Sequence, residues 1–453
     1  MLPDTFIASL QGLPGFDQEA FIKAHEQQEQ LTSLRLNRFK SFELGGHTLL
    51  NDKEAIPWCN NGFYLKQRPL FVLDPLWHAG AYYVQEASSM FIQYLLEQVI
   101  PYPQPMKVLD LCAAPGGKTT LLANYFSNGL VVANETIKPR NAILVENLTK
   151  WGADNIVVTQ NDPTHFKALP DFFDVLMIDA PCSGSGLFRK DTEAIAHWSE
   201  QSVQHCSTRQ ARIVEDSIDC LKEGGYLIYS TCSYSSEENE KRMDQIAAIA
   251  GMKNIQFDIP SHWNIVTTYS EENKCQGFRF YPDKVKGEGF FITVFKKETS
   301  TSSGYYDTTP TSIVATKKEL EVIKSHFEVP ENYDYINHQN SILALPHLFQ
   351  QELNGLMNHL YIKKMGLSLG EIKGADLIPS HALAMSTWSN LPYQTLEVDE
   401  ATALQYLRRA DLHLPTGKGW HTLTFKNIRL GWAKLLPNRS NNYYPNEWRI
   451  LNY

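Results

Sequence analysis

The chain has 453 residues, 43% hydrophobic and 20% charged, the make-up of a folded protein too long for one compact core. This excludes a collagen-like chain or a long disordered tail, and no stretch approaches the ~20 apolar residues of a membrane-spanning helix. A net charge of -9 argues by itself against a nucleic-acid partner, because such proteins neutralise phosphates with basic surface, so the distribution of charge matters more than its sum.

MLPDTFIASL lacks a basic segment followed by an apolar one, so a cytoplasmic location is expected. The seven cysteines (Cys59, Cys112, Cys182, Cys206, Cys220, Cys232 and Cys275) form no C-x-x-C pair. Reduced thiols are expected, with neither a disulfide framework nor a metal site. Residues 1–104 read as a small α+β module with apolar runs at Phe71-Val72-Leu73 and Ala81-Tyr82-Tyr83-Val84.

Residues 105–298 alternate strand and helix, predicting an α/β fold with a parallel sheet covered on both faces. The strands are Lys107 to Cys112, Leu130 to Asn134, Ile156 to Gln160, Phe173 to Asp179 and Tyr226 to Thr231. Helices are predicted at Thr119 to Tyr125, Pro139 to Trp151 and Gln201 to Leu221, the last stopped by Gly224-Gly225. Phe278 to Tyr281 and Gly289 to Lys296 add a closing antiparallel pair. Residues 299–315 read as a linker, 316–380 as an intermediate helical or mixed segment, and 381–453 as short strands with Gly-rich turns. The final stretch is locally basic: Arg408, Arg409, Lys418, Lys426, Arg429, Lys434, Arg439 and Arg449 interleave with Trp420, Trp432, Tyr443, Tyr444 and Trp448. Such a stretch suits phosphate contacts and base stacking, although aromatics at these turns also serve as core of a small β-barrel.

The first strand runs into Cys112-Ala113-Ala114-Pro115-Gly116-Gly117-Lys118, whose small residues let a ligand approach the backbone and the following helix N-terminus. A triphosphate-cradling loop is disfavoured, because it needs glycine where Cys112 stands. Glu135, one strand later, lies where a carboxylate binds ribose hydroxyls, and Asp162 ends the third strand within reach of an adenine edge. A nucleoside-containing cofactor is favoured over a mere tight turn with solvated carboxylates. Asp179-Ala180-Pro181-Cys182 and Ser230-Thr231-Cys232 follow the fourth and fifth strands, so both thiols face the carboxyl edge where open α/β sheets bind ligands. Cys206 and Cys220 fit an amphipathic helix and read as inert.

The motifs D-L-C-A-A-P-G-G-K-T, D-A-P-C-S-G-S-G and S-T-C-S, in this order, resemble those of the NOL1/NOP2/Sun family of RNA 5-methylcytosine methyltransferases. Leu34-Arg35-Leu36-Asn37, Tyr83 to Met90, Arg189-Lys190-Asp191, Arg279-Phe280-Tyr281-Pro282 and Gly287-Glu288-Gly289-Phe290-Phe291 fit the same family. Met365 to Gly370, Arg429 to Lys434 and Asn441 to Pro445 are similar to its bacterial 16S rRNA subfamily, which ends in a PUA-like RNA-binding module. The resemblance implies a class I (Rossmann-like) domain, S-adenosyl-L-methionine as cofactor, and 16S rRNA near the decoding site as substrate, with no DNA or membrane partner and a monomeric enzyme. It implies Cys232 as the nucleophile that adds to C6 of a flipped cytosine, Cys182 as the residue that helps release the product, and Asp179 as a ligand of the N3 and N4 edge. Lys190 stands to favour the thiolate or to touch substrate, with a solvated loop lysine as the alternative. Rival readings are a tRNA-directed enzyme, a silent RNA-binding assembly factor, and a DNA methyltransferase attacking through the Pro-Cys thiol.

Overall fold

The strand and helix alternation builds one ten-stranded sheet in a computed structural model that describes residues 2–27, 31–40, 52–300, 304–338, 340–389 and 391–451. Its strands are β1 (Lys107–Asp110), β2 (Leu130–Asn134), β3 (Ile156–Thr159), β4 (Phe173–Asp179), β5 (Leu221–Thr231), β6 (Met252–Asn254), β7 (Val266–Tyr269), β8 (Gln276–Phe280), β9 (Phe290–Lys297) and β10 (Ile362–Met365). The order is β7-β8-β9-β5-β4-β1-β2-β3-β10, with β6 beside β9. β3-β2-β1-β4-β5 is parallel throughout, and β9 closes antiparallel on β5. Val131, Val132, Val158, Val175, Leu176 and Ile228 are fully or almost fully buried, as continuous apolar strands covered on both faces require.

Helices α1 (Gly117–Tyr125), α2 (Lys138–Trp151) and α3 (Glu200–Ser217) connect these strands. α3 ends at Ser217 rather than at the Gly224-Gly225 pair, and those glycines lie inside β5. Leu221 already pairs with Phe173, and a register shift between Phe173 and Val175 accommodates the glycines within the ladder. Pairing with β4 therefore overrides the stop signal.

The N-terminal module carries a four-stranded sheet of Glu54–Ile56, Cys59–Leu65, Thr32–Leu36 and Tyr82–Val84. Phe71–Leu73 is a 3-10 turn, flanked by Pro69 and Pro75, which remove ladder donors. Buried Arg35 reaches across the seam. It donates to Gln85 Oε1 (3.0 Å), Thr120 Oγ1 (2.5 Å) and Gly117 O (3.2 Å), and lies over the Trp151 ring. Asn37 donates to Trp151 O (2.9 Å), so the module is keyed to both α1 and α2.

The stretch expected as an intermediate segment holds most of a five-stranded sheet (Ile313–Val314, Tyr333–His338, Ser341–Pro346, Leu367–Lys373, Asp376–Pro379) and also supplies β10. β10 pairs antiparallel with β3, so this segment completes the catalytic sheet and covers an edge that would otherwise be open. Leu353, Leu356 and Met365 share a core with Val157 and Phe172. Within the expected linker, of which residues 301–303 lie outside the described ones, Tyr306 packs on Phe172 at 5.0 Å. The last sheet (Gln394–Glu397, Gly419–Phe425, Ile428–Leu436, Arg439–Asn442) buries Trp432 and Tyr444, while Trp420 and Tyr443 pack edge to face nearer the surface. The aromatic stretch thus divides between core and surface.

Replacing Arg35 by Met leaves Gln85, Thr120 and Gly117 O short of a buried donor. Arg35→Met should destabilise the protein by about 3 kcal/mol, read as a lower midpoint of denaturant unfolding followed by circular dichroism.

Candidate active site

Parallel pairing sets Asp179 of β4 opposite Ser230 of β5, so the two turns that follow leave the sheet side by side. Cys182 Sγ and Cys232 Sγ lie 2.9 Å apart, both as free thiols. Ser230 Oγ donates to Asp179 Oδ1 (2.7 Å) and Lys118 Nζ to Asp179 Oδ2 (2.8 Å), which fixes the carboxylate between β5 and the N-terminal turn of α1. Buried Glu238 ties the two cysteine turns together. Its carboxylate accepts from Ser183 N (2.9 Å), Ser183 Oγ (2.5 Å), Ser233 Oγ (2.5 Å) and Gln210 Nε2 (3.0 Å). Gly186 is required for close approach: a Cβ there would stand 2.4 Å from Gly289 O and 2.7 Å from Cys232 O.

The contact with Cys232, then burial, pushes the Cys182 thiol well above its ordinary range, so Cys182 keeps its proton. Cys112 is likewise held protonated, by burial first and then by the nearby Asp110 carboxyl. Burial works against the Lys118 ammonium, but the Asp179 carboxylate outweighs it and raises the lysine above its usual value. Asp110, which accepts from Thr119 Oγ1 at 2.6 Å, is pushed by burial up to about 7.

Two cavities meet at these groups. The first, of about 360 Å³, is lined by Leu111, Cys112, Ala114, Glu135, Asp162 and Arg140 and reaches Asp179, Cys182 and Cys232. The second, also about 360 Å³, is lined by Tyr83, Lys118, Asp179, Cys232, Glu288 and Phe290. Cys112, Ala114, Asp179, Leu187 and Cys232 form the shared wall.

Glu135, 4% exposed, accepts from Ile137 N (2.8 Å) and pairs with Arg140 (3.2 Å), which also donates to Ala114 O. Asp162 caps the next turn through Oδ1, leaving Oδ2 to the first cavity. Ala113 and Pro115 line the second cavity. Gly116, at φ +112°, instead shapes the turn from which α1 begins. Lys118 faces the second cavity rather than the side holding Glu135 and Asp162. Lys190 lies on neither wall and stands 4.0 Å from Glu288. The sequence reading missed Glu238, Arg140, Ser230 and the site role of Glu288. Glu288 is 2% exposed and lifted by burial, with neither oxygen hydrogen-bonded, and it lines the second cavity beside Gly289 and Phe290. Its place in Gly287-Glu288-Gly289 was the available signal.

A 3-2-1-4-5 parallel sheet with an antiparallel strand beyond it, Gly-rich first turn and carboxyl-edge cavities define a class I methyltransferase. The sequence matches the N-terminal domain of 16S rRNA methyltransferase RsmF over residues 2–87, 16S rRNA methyltransferase RsmB/F over 99–296, and the methyltransferase RsmF PUA domain over 393–450. Ribosomal RNA small subunit methyltransferase F of Shewanella loihica is 30% identical over 444 residues, covering 92% of this chain and 88% of that one. The protein of the same name from Vibrio cholerae is 30% identical over 471 residues, covering 98% and 97%. A methyltransferase homolog protein from Pyrococcus horikoshii, 26% identical, aligns with a TM-score of 0.51 over 65% of this chain and all of that one. NSun6 from the same organism, at 20% identity and a TM-score of 0.54 over 66% of this chain and 99% of that one, shares the fold. The chain belongs to the ribosomal RNA small subunit methyltransferase F family.

Glu238→Gln turns an amide donor toward groups that already donate, and should slow methyl transfer about 100-fold by loosening both cysteine turns, measured as single-turnover methyl incorporation. Asp110 gives a pH signature. Between its ordinary value of 3.8 and about 7 only the unfolded chain is ionised, so the unfolded state binds fewer protons and this group's contribution to stability falls as pH rises through that window. Asp110→Asn should remove that part of the slope, seen by comparing denaturant unfolding at pH 5 and pH 7.

Proposed function

We propose that the protein transfers a methyl group from S-adenosylmethionine to C5 of a cytidine in 16S rRNA, with Cys232 adding to C6 of the flipped base. The observation that carries this reading is the pair of sulfurs 2.9 Å apart beside the wall common to two cavities. The first cavity fits a nucleoside: Glu135 offers fixed acceptors for ribose hydroxyls, Asp162 suits an adenine amino group, and Leu111, Cys112 and Ala114 line it from the Gly-rich turn. When bound, S-adenosylmethionine supplies an electrophilic sulfonium methyl.

C5 of cytosine is too weak a nucleophile to take that methyl directly. In the second cavity Phe290 provides an aromatic wall for the base, and the Lys118–Asp179 pair offers charged partners for its polar edge. Attack by the Cys232 thiolate at C6 places negative charge on the ring, which the Lys118 ammonium stabilises electrostatically. C5 then bonds to the methyl carbon as that carbon's bond to the sulfonium sulfur breaks, its electron pair staying on the sulfur and the product leaving as a neutral thioether. Loss of the C5 proton restores the C5–C6 double bond as the Cys232 sulfur leaves. Once Cys232 is bonded to C6, the thiol-thiol contact that raised Cys182 is gone; Cys182 gives its proton to solvent, accepts the C5 proton in its place, and the re-formed thiol hydrogen-bonds the departing Cys232 sulfur.

Relatives named for the small-subunit rRNA and the RsmF-type PUA match favour 16S rRNA over tRNA. Both cysteines and the closed carboxylate network argue against a silent assembly factor. The enzyme acts as a cytoplasmic monomer on RNA of the small subunit; among the described residues no helix is long and apolar enough to cross a membrane.

Cys182→Ala should accumulate a covalent protein–RNA complex on denaturing gels, and Cys232→Ala should form none. Loss of the complex in the former with retention in the latter would overturn the assignment. Bisulfite sequencing of RNA from cells lacking the gene should show a 16S cytosine that has become unprotected; full retention of every 16S 5-methylcytosine would remove the rRNA reading.

A further inference from the structure

A cavity of about 330 Å³ lies far from the thiols, at the seam between the N-terminal module and the C-terminal sheet. Its walls bring together two cations from opposite sides, Lys40 and Arg429. Lys40 is buried and donates to Ala79 O (2.8 Å) and Lys150 O (2.6 Å). Arg429, which lines the cavity, uses Nη2 on Ser386 O (2.5 Å) and Trp388 O (2.7 Å), and its Nε and Nη1 make no hydrogen bond among the described residues. Neither has a carboxylate partner among the described residues, and the charge of Arg429 adds to burial in pushing the Lys40 ammonium below its usual value. Thr387, Ser389, Thr395 and Thr424 line the same cavity, and their hydroxyls have no hydrogen-bond partner among the described residues. Thr422, 1% exposed, lines it too, with Oγ1 buried and unsatisfied.

A buried ammonium and a half-buried guanidinium without a carboxylate among the described residues, beside hydroxyl donors of which Thr422 is buried and unsatisfied, suit an anion rich in acceptor oxygens. A phosphate group meets that need: a guanidinium edge binds two of its oxygens and hydroxyls take the others. On the rim Phe39 is 43% exposed, with the Arg38 guanidinium 4.7 Å over its ring. An exposed ring beside a phosphate site is the pairing used for single-stranded nucleic acid, where a base stacks and its backbone phosphate is held.

We infer that this seam cavity binds a backbone phosphate of unpaired RNA, with Phe39 stacking an adjoining base. RNA as the source of the phosphate rests on the reading of the protein as an rRNA enzyme. The site would fix one point of the substrate simultaneously on the N-terminal module and on the C-terminal sheet.

The test uses the full-length protein without cofactor and reads binding rather than turnover, so its outcome does not depend on which thiol attacks. Filter binding to in vitro transcribed 16S rRNA should weaken about tenfold for Arg429→Gln and for Thr395→Glu, which sets a carboxylate at the exposed mouth of the cavity. For Arg429→Gln the slope of log affinity against log salt should also become shallower by about 0.7, one single-strand phosphate contact. Phe39→Ala should weaken RNA binding while leaving unchanged the thermal protection conferred by inorganic phosphate at constant ionic strength; Thr395→Glu should abolish that protection. Phosphate protection lost in Thr395→Glu, with RNA affinity unchanged in all three variants, would assign the site to free phosphate and overturn the RNA occupant. Unchanged RNA affinity and salt slope together with no phosphate protection in the wild type would overturn the site altogether.

Discussion

The parallel register between β4 and β5 is the constraint on which the site depends. With Asp179 opposite Ser230, the chain must leave both strands at the same height, and the residues that follow come into contact although fifty positions separate the two cysteines. A slip of one residue would turn each strand's side chains to the opposite face and part the thiols. Side-chain links at the strand ends hold the register: Ser230 donates to Asp179, and Ser183 and Ser233 both donate to Glu238.

Around that register the structure places buried charge where it can be satisfied. Glu238 forms no ion pair among the described residues; its carboxyl group is held by four donors drawn from both cysteine turns and α3, and its desolvation is tolerable only while all of them remain. Arg279 and Glu240 form a second buried unit. The guanidinium meets both carboxylate oxygens and donates to Tyr234 O (2.8 Å), two residues past Cys232, so the turn is braced from behind as well as from the side. Such arrangements add little net stability but select one geometry, which is what a reaction between closely placed atoms demands. The two thiols consequently differ in place: both reach the first cavity, and Cys232 alone also lines the second, beside Asp179 and Lys118.

The accessory modules are joined to this core through backbone polar groups rather than through apolar surface alone. Arg35 and Lys40 reach carbonyls at the start of α1 and the end of α2, and β10 supplies main-chain partners to the open edge of β3. Helix ends and sheet edges are where unpaired carbonyl and amide groups accumulate, so a neighbouring module that satisfies them is fixed in orientation. The accessory modules are therefore held at set positions relative to the thiols.

Much of this was legible in the sequence. Apolar runs alternating with amphipathic helical stretches gave the parallel strands and their helices, the motif order gave the family, and the loops after β1, β4 and β5 gave the Gly-rich turn and both cysteines, because local patterning and turn chemistry act over short spans. Long-range pairing decided the rest. The end of α3 moved because Leu221 pairs with Phe173; a segment expected to stand apart supplied β10 because β3 needed a partner; Lys118 turned to Asp179 because an ammonium in a buried turn seeks the nearest carboxylate. Glu238 carried no periodic or motif signal, since its meaning lies in four donors that only the folded chain brings around it. The identity of the chemical groups was thus set by the sequence, and their distances, partners and protonation were set by the register of strands distant along the chain.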